Sequence, residues 1–157
     1  MALVRSMLQN EVGMMFSEHP AMGITPGQNL VKAYKNYLSS AQNAGGFPFS
    51  TVMTEPFGSA IGQIFQGKLP VTMTIGQALA QQLSSMALTF MSGQQIGPPV
   101  TPPSHLPQLM TLFNAYAPSP MDFGRHLGGI MDDWTKTWVV SGLIPGTPPV
   151  PFSGPLS

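Results

Sequence analysis

The chain has no cysteine and little charge. Because no thiol occurs among its 157 residues, it has no disulfide, no thiolate metal site and no cysteine nucleophile. Charged side chains make up only 8% of the sequence, and six cations balance six anions. Six Lys and Arg scattered along the chain cannot supply the basic surface that nucleic-acid binding needs, so we expect no specific nucleic-acid partner. So little charge favours a subunit whose surface is covered by neighbours.

Long apolar runs are also missing. No segment approaches the roughly 18 uninterrupted apolar residues of a membrane span, and MALVRSMLQNEV lacks the apolar block of a secretory signal. We therefore expect no membrane partner. The 43% of hydrophobic residues still argues for a packed core, in spite of 17 glycines and 17 prolines.

No recognisable catalytic motif occurs. His19, His105 and His126 stand apart from any second ligand at metal-binding spacing. Asp132 and Asp133 are neighbours on a predicted helix and point in different directions, so we interpret them as a solvated patch. We predict no catalytic residue, no metal site and no cofactor, and hence a protein that is not an enzyme.

A pattern of apolar residues recurs three times along the chain. It is anchored on Gly27, Gly76 and Gly124, the anchor glycines, at offsets of 76 − 27 = 49 and 124 − 76 = 48 residues. Apolar residues follow each anchor glycine at the third, seventh, tenth and fourteenth positions, and these steps place them on one face of a helix. They are Leu30, Tyr34, Tyr37 and Ala41; Leu79, Leu83, Met86 and Phe90; and Leu127, Met131, Trp134 and Trp138.

The start and end signals of this long helix recur too. Thr74 with Gln77 forms a capping box, and Ser119 before a proline is an alternative start for the third copy. A shorter apolar helix precedes each long one, with a phenylalanine eleven residues before the anchor glycine. These phenylalanines are Phe16, Phe65 and Phe113. We predict that the long helices run to C′ glycines with positive φ, which are Gly45, Gly93 and Gly142.

These signals predict an all-α fold. Residues 1–142 form one helical domain of three helical hairpins, at about 2–46, 50–94 and 104–142, joined by extended Pro-rich connections. One such unit is too small to bury its apolar face alone, so the units must pack on one another or on other chains. A closed arrangement about a pseudo-threefold axis and a linear array both satisfy that need.

The last fifteen residues, LIPGTPPVPFSGPLS, contain five prolines and no charge. Such a tail is often a flexible terminus, but its apolar content favours an extended arm, residues 143–157, lying in a groove on a partner. The candidate interaction residues are Trp134 and Trp138 on the last helix and Ile144, Val150, Phe152 and Leu156 on the arm.

Repeated helix-to-Gly-to-Pro-rich units, as in GQNLVKAYKNYLSSAQNAGGFPF and DFGRHLGGIMDDWTKTWVVSGLIPGTPPVPFSG, together with the low charge, resemble small virion structural proteins of tailed bacteriophages, especially contractile-tailed ones. The resemblance implies a non-enzymatic structural subunit of the capsid, neck, tail or baseplate. Its partners would be other virion proteins and copies of itself, in a virion assembled in the host cytoplasm. It carries over no functional residue.

A second hypothesis comes from a different class of protein. The chain would be a peptide- or ligand-binding helical module with an aromatic groove lined by Phe113, Trp134 and Trp138. This hypothesis requires that the two indoles are accessible.

Overall fold

A computed structural model describes residues 3–18, 24–51, 57–67, 74–100, 105–115 and 119–157. These residues form six α-helices and four short strands. In chain order they are α1 (Arg5–Glu18), α2 (Ile24–Leu38), β1 (Phe49–Thr51), α3 (Phe57–Phe65), α4 (Ile75–Ala87), β2 (Met91–Ser92), α5 (His105–Asn114), α6 (Pro120–Thr135), β3 (Val139–Ile144) and β4 (Val150–Pro155). The strands form two antiparallel pairs, β1 with β2 and β3 with β4.

The prediction of an all-α fold is therefore wrong, and the fold is mixed α and β. The predicted long helices extended to Ala44, Ser92 and Ser141, whereas α2, α4 and α6 each end eleven residues after their anchor glycine. The residues beyond those ends form extended, paired backbone. Among the described residues, positive φ falls on Gly46, Gly67, Gly97 and Gln94, so the three predicted C′ glycines do not have it.

The threefold copy is visible in hydrogen bonds at the ends of the long helices. Thirteen residues after each anchor glycine, a hydroxyl donates to the backbone carbonyl three residues earlier, which also accepts a hydrogen bond from the backbone N–H of the same residue. The bonds run from Ser40 Oγ to Tyr37 O at 2.8 Å, from Thr89 Oγ1 to Met86 O at 2.6 Å and from Thr137 Oγ1 to Trp134 O at 2.6 Å. The helix starts are less uniform. Thr74 caps α4 through the predicted capping box, and Ser119 caps α6.

The six helices close into a ring, because each anchor glycine packs against the short helix of the next unit. A Cβ added at Gly27 would lie 2.3 Å from the Gly62 N atom of α3, and one at Gly76 would lie 3.0 Å from a backbone atom of α5. A Cβ at Gly124 would lie 2.5 Å from the Val12 carbonyl oxygen of α1, so the third unit returns to the first. Each long helix packs more extensively on the short helix of the following unit than on its own. The description as three helical hairpins is thus also corrected.

Equivalent phenylalanines of the short helices meet inside this ring. The ring centroids of Phe16 and Phe65 are 6.0 Å apart, and those of Phe65 and Phe113 are 6.5 Å apart. Phe123 of α6 adds edge contacts to Phe16 at 5.1 Å and to Phe113 at 5.3 Å. The three units therefore surround a common axis rather than lie in a row.

The extended segments close a second ring of backbone hydrogen bonds. Gly93 N donates to Pro48 O at 2.9 Å, which joins the second unit to the first. Ile96 N donates to Ser141 O at 2.8 Å, which joins the second unit to the third. Gln42 and Ser157 exchange two bonds, at 2.9 and 3.0 Å, which join the C-terminus to the first unit. The segment predicted to dock on a partner is thus paired with its own chain.

Candidate interaction surface

The six predicted interaction residues are spread between the core and the surface. Both tryptophans are buried at 2% and 0% exposure, with their ring centroids 4.9 Å apart. On β3 and β4, Ile144 is half-buried, Val150 is 56% exposed and Phe152 packs against the Phe47 ring, while Leu156 beyond them is buried. Only Val150 of the six is therefore open to a partner.

Trp138 belongs to the core because of its place in the repeat. It occupies the same position as Ala41 in the first unit and Phe90 in the second, and its ring lies 5.9 Å from the Phe90 ring. Tyr34 meets both rings, at 6.2 and 6.4 Å. One small and two large side chains at the equivalent positions fill the same layer of the core.

A buried polar cluster joins the first and third units. The side chain of Asp132 is fully buried, and it accepts hydrogen bonds from the Tyr37 hydroxyl at 2.5 Å and from Lys136 Nζ at 2.9 Å. Arg5 NH1 lies 3.8 Å from the same carboxylate and forms an ion pair with Asp133. The interpretation of Asp132 as solvated is therefore wrong, whereas Asp133 is exposed as expected.

Two tyrosines of this cluster have shifted acidities. Burial raises the pKa of Tyr37, and its hydrogen bond to the Asp132 carboxylate raises it further. Burial also raises the pKa of Tyr34, whose hydroxyl is hydrogen bonded to Thr135 Oγ1. Both phenols thus stay protonated and donate or share hydrogen bonds between α2 and α6. Every polar group of the cluster has a partner, as a structural link requires.

The structure offers no set of metal ligands among its described residues, in which no three His, Asp or Glu side chains lie close enough to hold an ion. His126 is exposed. His19 lies outside the described residues. The described helices also include none that is long and apolar enough to cross a membrane.

An open groove of about 480 Å³ lies between α1, α5 and α6. A smaller one of about 280 Å³ lies between α1 and α2, and its lining residues have the same positions relative to the anchor glycine. Gln108, Thr111 and His126 line the first groove where Glu11, Met14 and Asn29 line the second. Both grooves therefore form where the short and the long helix of one unit pack together. The side chains that line them differ between the units, so the repeat does not conserve a binding chemistry.

The most distinctive surface is the outer face of the sheet around β3, which we call the outer sheet face. It comprises the exposed residues Ile96, Val100, Val139 and Leu143, at 62%, 68%, 37% and 39% exposure. Val150 is also exposed, but it pairs with Ile144 and therefore lies on the other side of the sheet. The intervening β3 residues Val140 and Gly142 are buried on the inner side. Sheets that cover a core on one side usually carry polar residues on the other, whereas this outer side is largely apolar.

This face is continuous across three paired segments. Val100 and Val139 exchange backbone hydrogen bonds at 2.9 and 3.1 Å, and Leu143 lies opposite Pro151. At its centre, Ser141 and Ser153 are hydrogen bonded to each other at 2.8 Å. No Asp, Glu, Lys or Arg occurs at positions 69–121 or 137–157, so none of the three segments carries such a charge.

None of the four residues of this face was among the predicted interaction residues. The alternation of Val139, Ser141 and Leu143 was present, but it lay in a stretch assigned to the last helix and the arm. Ile96 and Val100 were assigned to a Pro-rich connection. Only the long-range pairing of these segments makes their side chains neighbours.

No family model, curated protein sequence or solved structure matches this chain. The fold and the surface define a structural class. The described residues form a closed α and β body of three similar units, and one face of the sheet around β3 is exposed, apolar and uncharged.

Proposed function

We propose that this protein is a non-enzymatic structural subunit of a bacteriophage virion that acts through protein–protein contacts. The observation that carries the proposal is the outer sheet face, which exposes contiguous apolar side chains and no charge. The virion is proposed on the resemblance of the repeated units to small phage structural proteins. Such a subunit would belong to the capsid, neck, tail or baseplate.

The pseudo-threefold architecture favours one contact rather than three equivalent ones. The positions shared by the units point inward, as in Leu30, Leu79 and Leu127, which are all buried. Nine residues after the anchor glycines, the exposed positions hold Asn36, Ser85 and Asp133, of which only Asp133 is charged. The outer sheet face is built from the second and third units only. We therefore expect one neighbour on one side of the molecule.

A ligand-binding module with an aromatic groove is less well supported. That function requires accessible indoles at Trp134 and Trp138, and both lie in the core. The buried cluster around Asp132 is likewise fully engaged in internal hydrogen bonds. The contacts described above favour neither the two indoles nor the cluster around Asp132 as a site of binding or chemistry.

Mass spectrometry of particles purified from the phage that encodes the chain tests this function. We expect the chain in particles washed with salt and nuclease, at a constant copy number. Leu143→Lys should prevent incorporation by placing a charge on the outer sheet face, while Met14→Lys, at an exposed apolar residue of α1, should not. Washed particles that lack the wild-type chain would overturn the proposal.

A further inference from the structure

The helix α1 carries apolar side chains on two of its sides. Leu8, Val12 and Phe16 face the core and are buried at 0%, 0% and 2% exposure. A second stripe runs along an adjacent side of the helix, at alternating steps of three and four residues. It consists of Val4, Met7, Glu11, Met14 and Glu18. Because its three apolar members are 48%, 37% and 55% exposed, this stripe is available for a contact.

The other two units provide an internal comparison for the stripe. Gln63 of α3 and Thr111 of α5 occupy the position of Met14 relative to the anchor glycine, and both are exposed and polar. The second and third units also have no carboxylate at the positions of Glu11 and Glu18. The shared fold therefore does not require an apolar residue between two carboxylates on the outside of a short helix. This combination is a property of the first unit.

The stripe borders the groove of about 280 Å³ between α1 and α2, which we call the α1–α2 groove. Met14 and Met15 of α1 and Ala33 of α2 form its apolar part. Pockets that enclose a small molecule usually have volumes of roughly 300 to 1,000 Å³. The α1–α2 groove lies just below that range, so it suits side chains that project from a protein segment. An amphipathic helix that lies along a groove presents its side chains in this way.

The two walls of the α1–α2 groove carry opposite charges. Glu11 and Glu18 line the α1 wall about two helical turns apart, and Lys32 lines the α2 wall. None of these three side chains forms a hydrogen bond or an ion pair with the part of the chain that the structure describes. Charges that flank an apolar seam determine which helices pair and in which direction. The groove therefore selects its occupant by charge as well as by apolar contact.

We propose that the α1–α2 groove binds an amphipathic helix of a partner protein. The apolar side of that helix contacts Met14 and Met15. The flank that faces Glu11 and Glu18 carries Lys or Arg, and the flank that faces Lys32 carries Asp or Glu. Turning the helix end to end exchanges its flanks and opposes like charges, so the groove also selects the direction of the helix. This contact is separate from the outer sheet face, and the inference goes beyond the proposed function.

A designed peptide tests this proposal. The probe is a fluorescein-labelled helical peptide of three heptads, with leucine at positions a and d, lysine on one flank and glutamate on the other. Titration with the full-length chain up to about 500 µM, followed by fluorescence anisotropy, should give a dissociation constant of about 10–100 µM. A control peptide with glutamate on both flanks should bind at least about tenfold more weakly, because it opposes the carboxylates of α1. Equal binding of the two peptides would contradict selection by charge.

Variants of the chain locate the bound probe. Glu11→Gln combined with Glu18→Gln should raise the dissociation constant about three- to tenfold and weaken its dependence on salt, because two charge pairs are lost. Met14→Lys should raise it at least about tenfold. Gln63→Lys, at the equivalent exposed position of α3, should leave it unchanged. Circular dichroism verifies that each variant is folded. A wild type that does not bind the probe, or a Gln63→Lys chain that loses as much affinity as Met14→Lys, overturns the proposal.

Charge reversal on the α2 wall gives an independent measurement. Lys32→Glu should weaken binding of the probe, whose glutamate flank then meets a carboxylate. The same substitution should strengthen binding of a peptide with lysine on both flanks. Equal changes for the two peptides would show that neither lies beside Lys32 and would contradict the proposed orientation.

This inference and the proposed function fail in different ways. Met14→Lys should enter particles like the wild type but no longer bind the probe. A wild type that is found in washed particles but does not bind the probe removes the helical partner and leaves the virion function standing. A chain that binds the probe but is absent from washed particles removes the virion function and leaves this inference standing.

Discussion

Asp132 connects three helices through its carboxylate. Tyr37 of α2 and Lys136 after α6 are hydrogen bonded to it, and Arg5 of α1 lies 3.8 Å away. Because the side chain is fully buried, these partners replace the contacts with water that it loses on folding. The cluster therefore fixes how the first and third units meet.

Removing this carboxylate should destabilise the fold. Asp132→Ala leaves the Tyr37 hydroxyl and Lys136 without their acceptor, and we expect a loss of about 3–5 kcal/mol in the free energy of unfolding by urea. Asp133→Ala is the matched control, since that side chain is 55% exposed and a surface ion pair contributes at most about 1 kcal/mol. Similar losses for the two variants would show that the cluster does not link the units.

The buried tyrosines predict a loss of stability at high pH. Their folded-state pKa values lie above the unfolded value of about 10, so their contribution is complete below pH 10 and declines above it. The unfolded state releases its proton first, which costs about 1.4 kcal/mol per pH unit for each tyrosine. Urea unfolding of Tyr34→Phe at rising pH should show a shallower decline than that of the wild type. Equal slopes would contradict the burial of this phenol.

At the scale of elements, the anchor glycines set how closely neighbouring helices approach. Their clearances differ, with an added Cβ 2.3 Å from the next helix at Gly27, 2.5 Å at Gly124 and 3.0 Å at Gly76. The obstructing atoms are backbone, so relief needs movement of a whole helix. Their helical position also means that alanine would gain propensity at each site.

Alanine substitutions should therefore rank by clearance. Gly27→Ala and Gly124→Ala should each cost about 1–3 kcal/mol in urea unfolding, because overpacking outweighs the helix propensity gained. Gly76→Ala, with the widest clearance, should cost least. Equal effects at the three sites would show that the helices separate freely and that the close contacts are not needed.

The helices were predictable because their apolar period extends over 9 to 16 residues. The strands were not, since they span only two to six residues. β1 pairs with β2 over a long sequence separation, and β3 pairs both with β4 in a local hairpin and with the distant residues Gln95 and Val100. The predicted stop glycines failed for a physical reason. A Cβ at Gly142 would lie 2.0 Å from the Gln94 carbonyl oxygen, so this glycine permits close approach of two backbones and does not reverse a helix end. Sequence alone does not distinguish these two uses of glycine.

At the scale of the whole molecule, the C-terminal segment completes the β ring. Residues 150–157 occupy the place in the third unit that residues 47–51 occupy in the first. Leu156 is buried at 5% exposure, and Ser157 is hydrogen bonded to Gln42. The extended tail with five prolines was visible in the sequence, but its docking site on the same chain depends on all three units being folded.

Replacing two leucines of this region with alanine should lower the free energy of unfolding by different amounts. Leu156→Ala removes a core side chain and should cost about 2–4 kcal/mol in urea unfolding. Leu143→Ala, at 39% exposure on the outer sheet face, should cost less than about 1 kcal/mol under monomeric conditions. The reverse order would place the tail outside the fold and restore the arm docked on a partner.

Because Gln42 and Ser157 exchange two backbone hydrogen bonds, each of the three units is paired with both of the others. A gene reordered to begin at α3, with a flexible linker joining residue 157 to residue 1, would encode a circular permutant that keeps every cyclic contact between units. The order in which the units are translated is then separable from the shape they form.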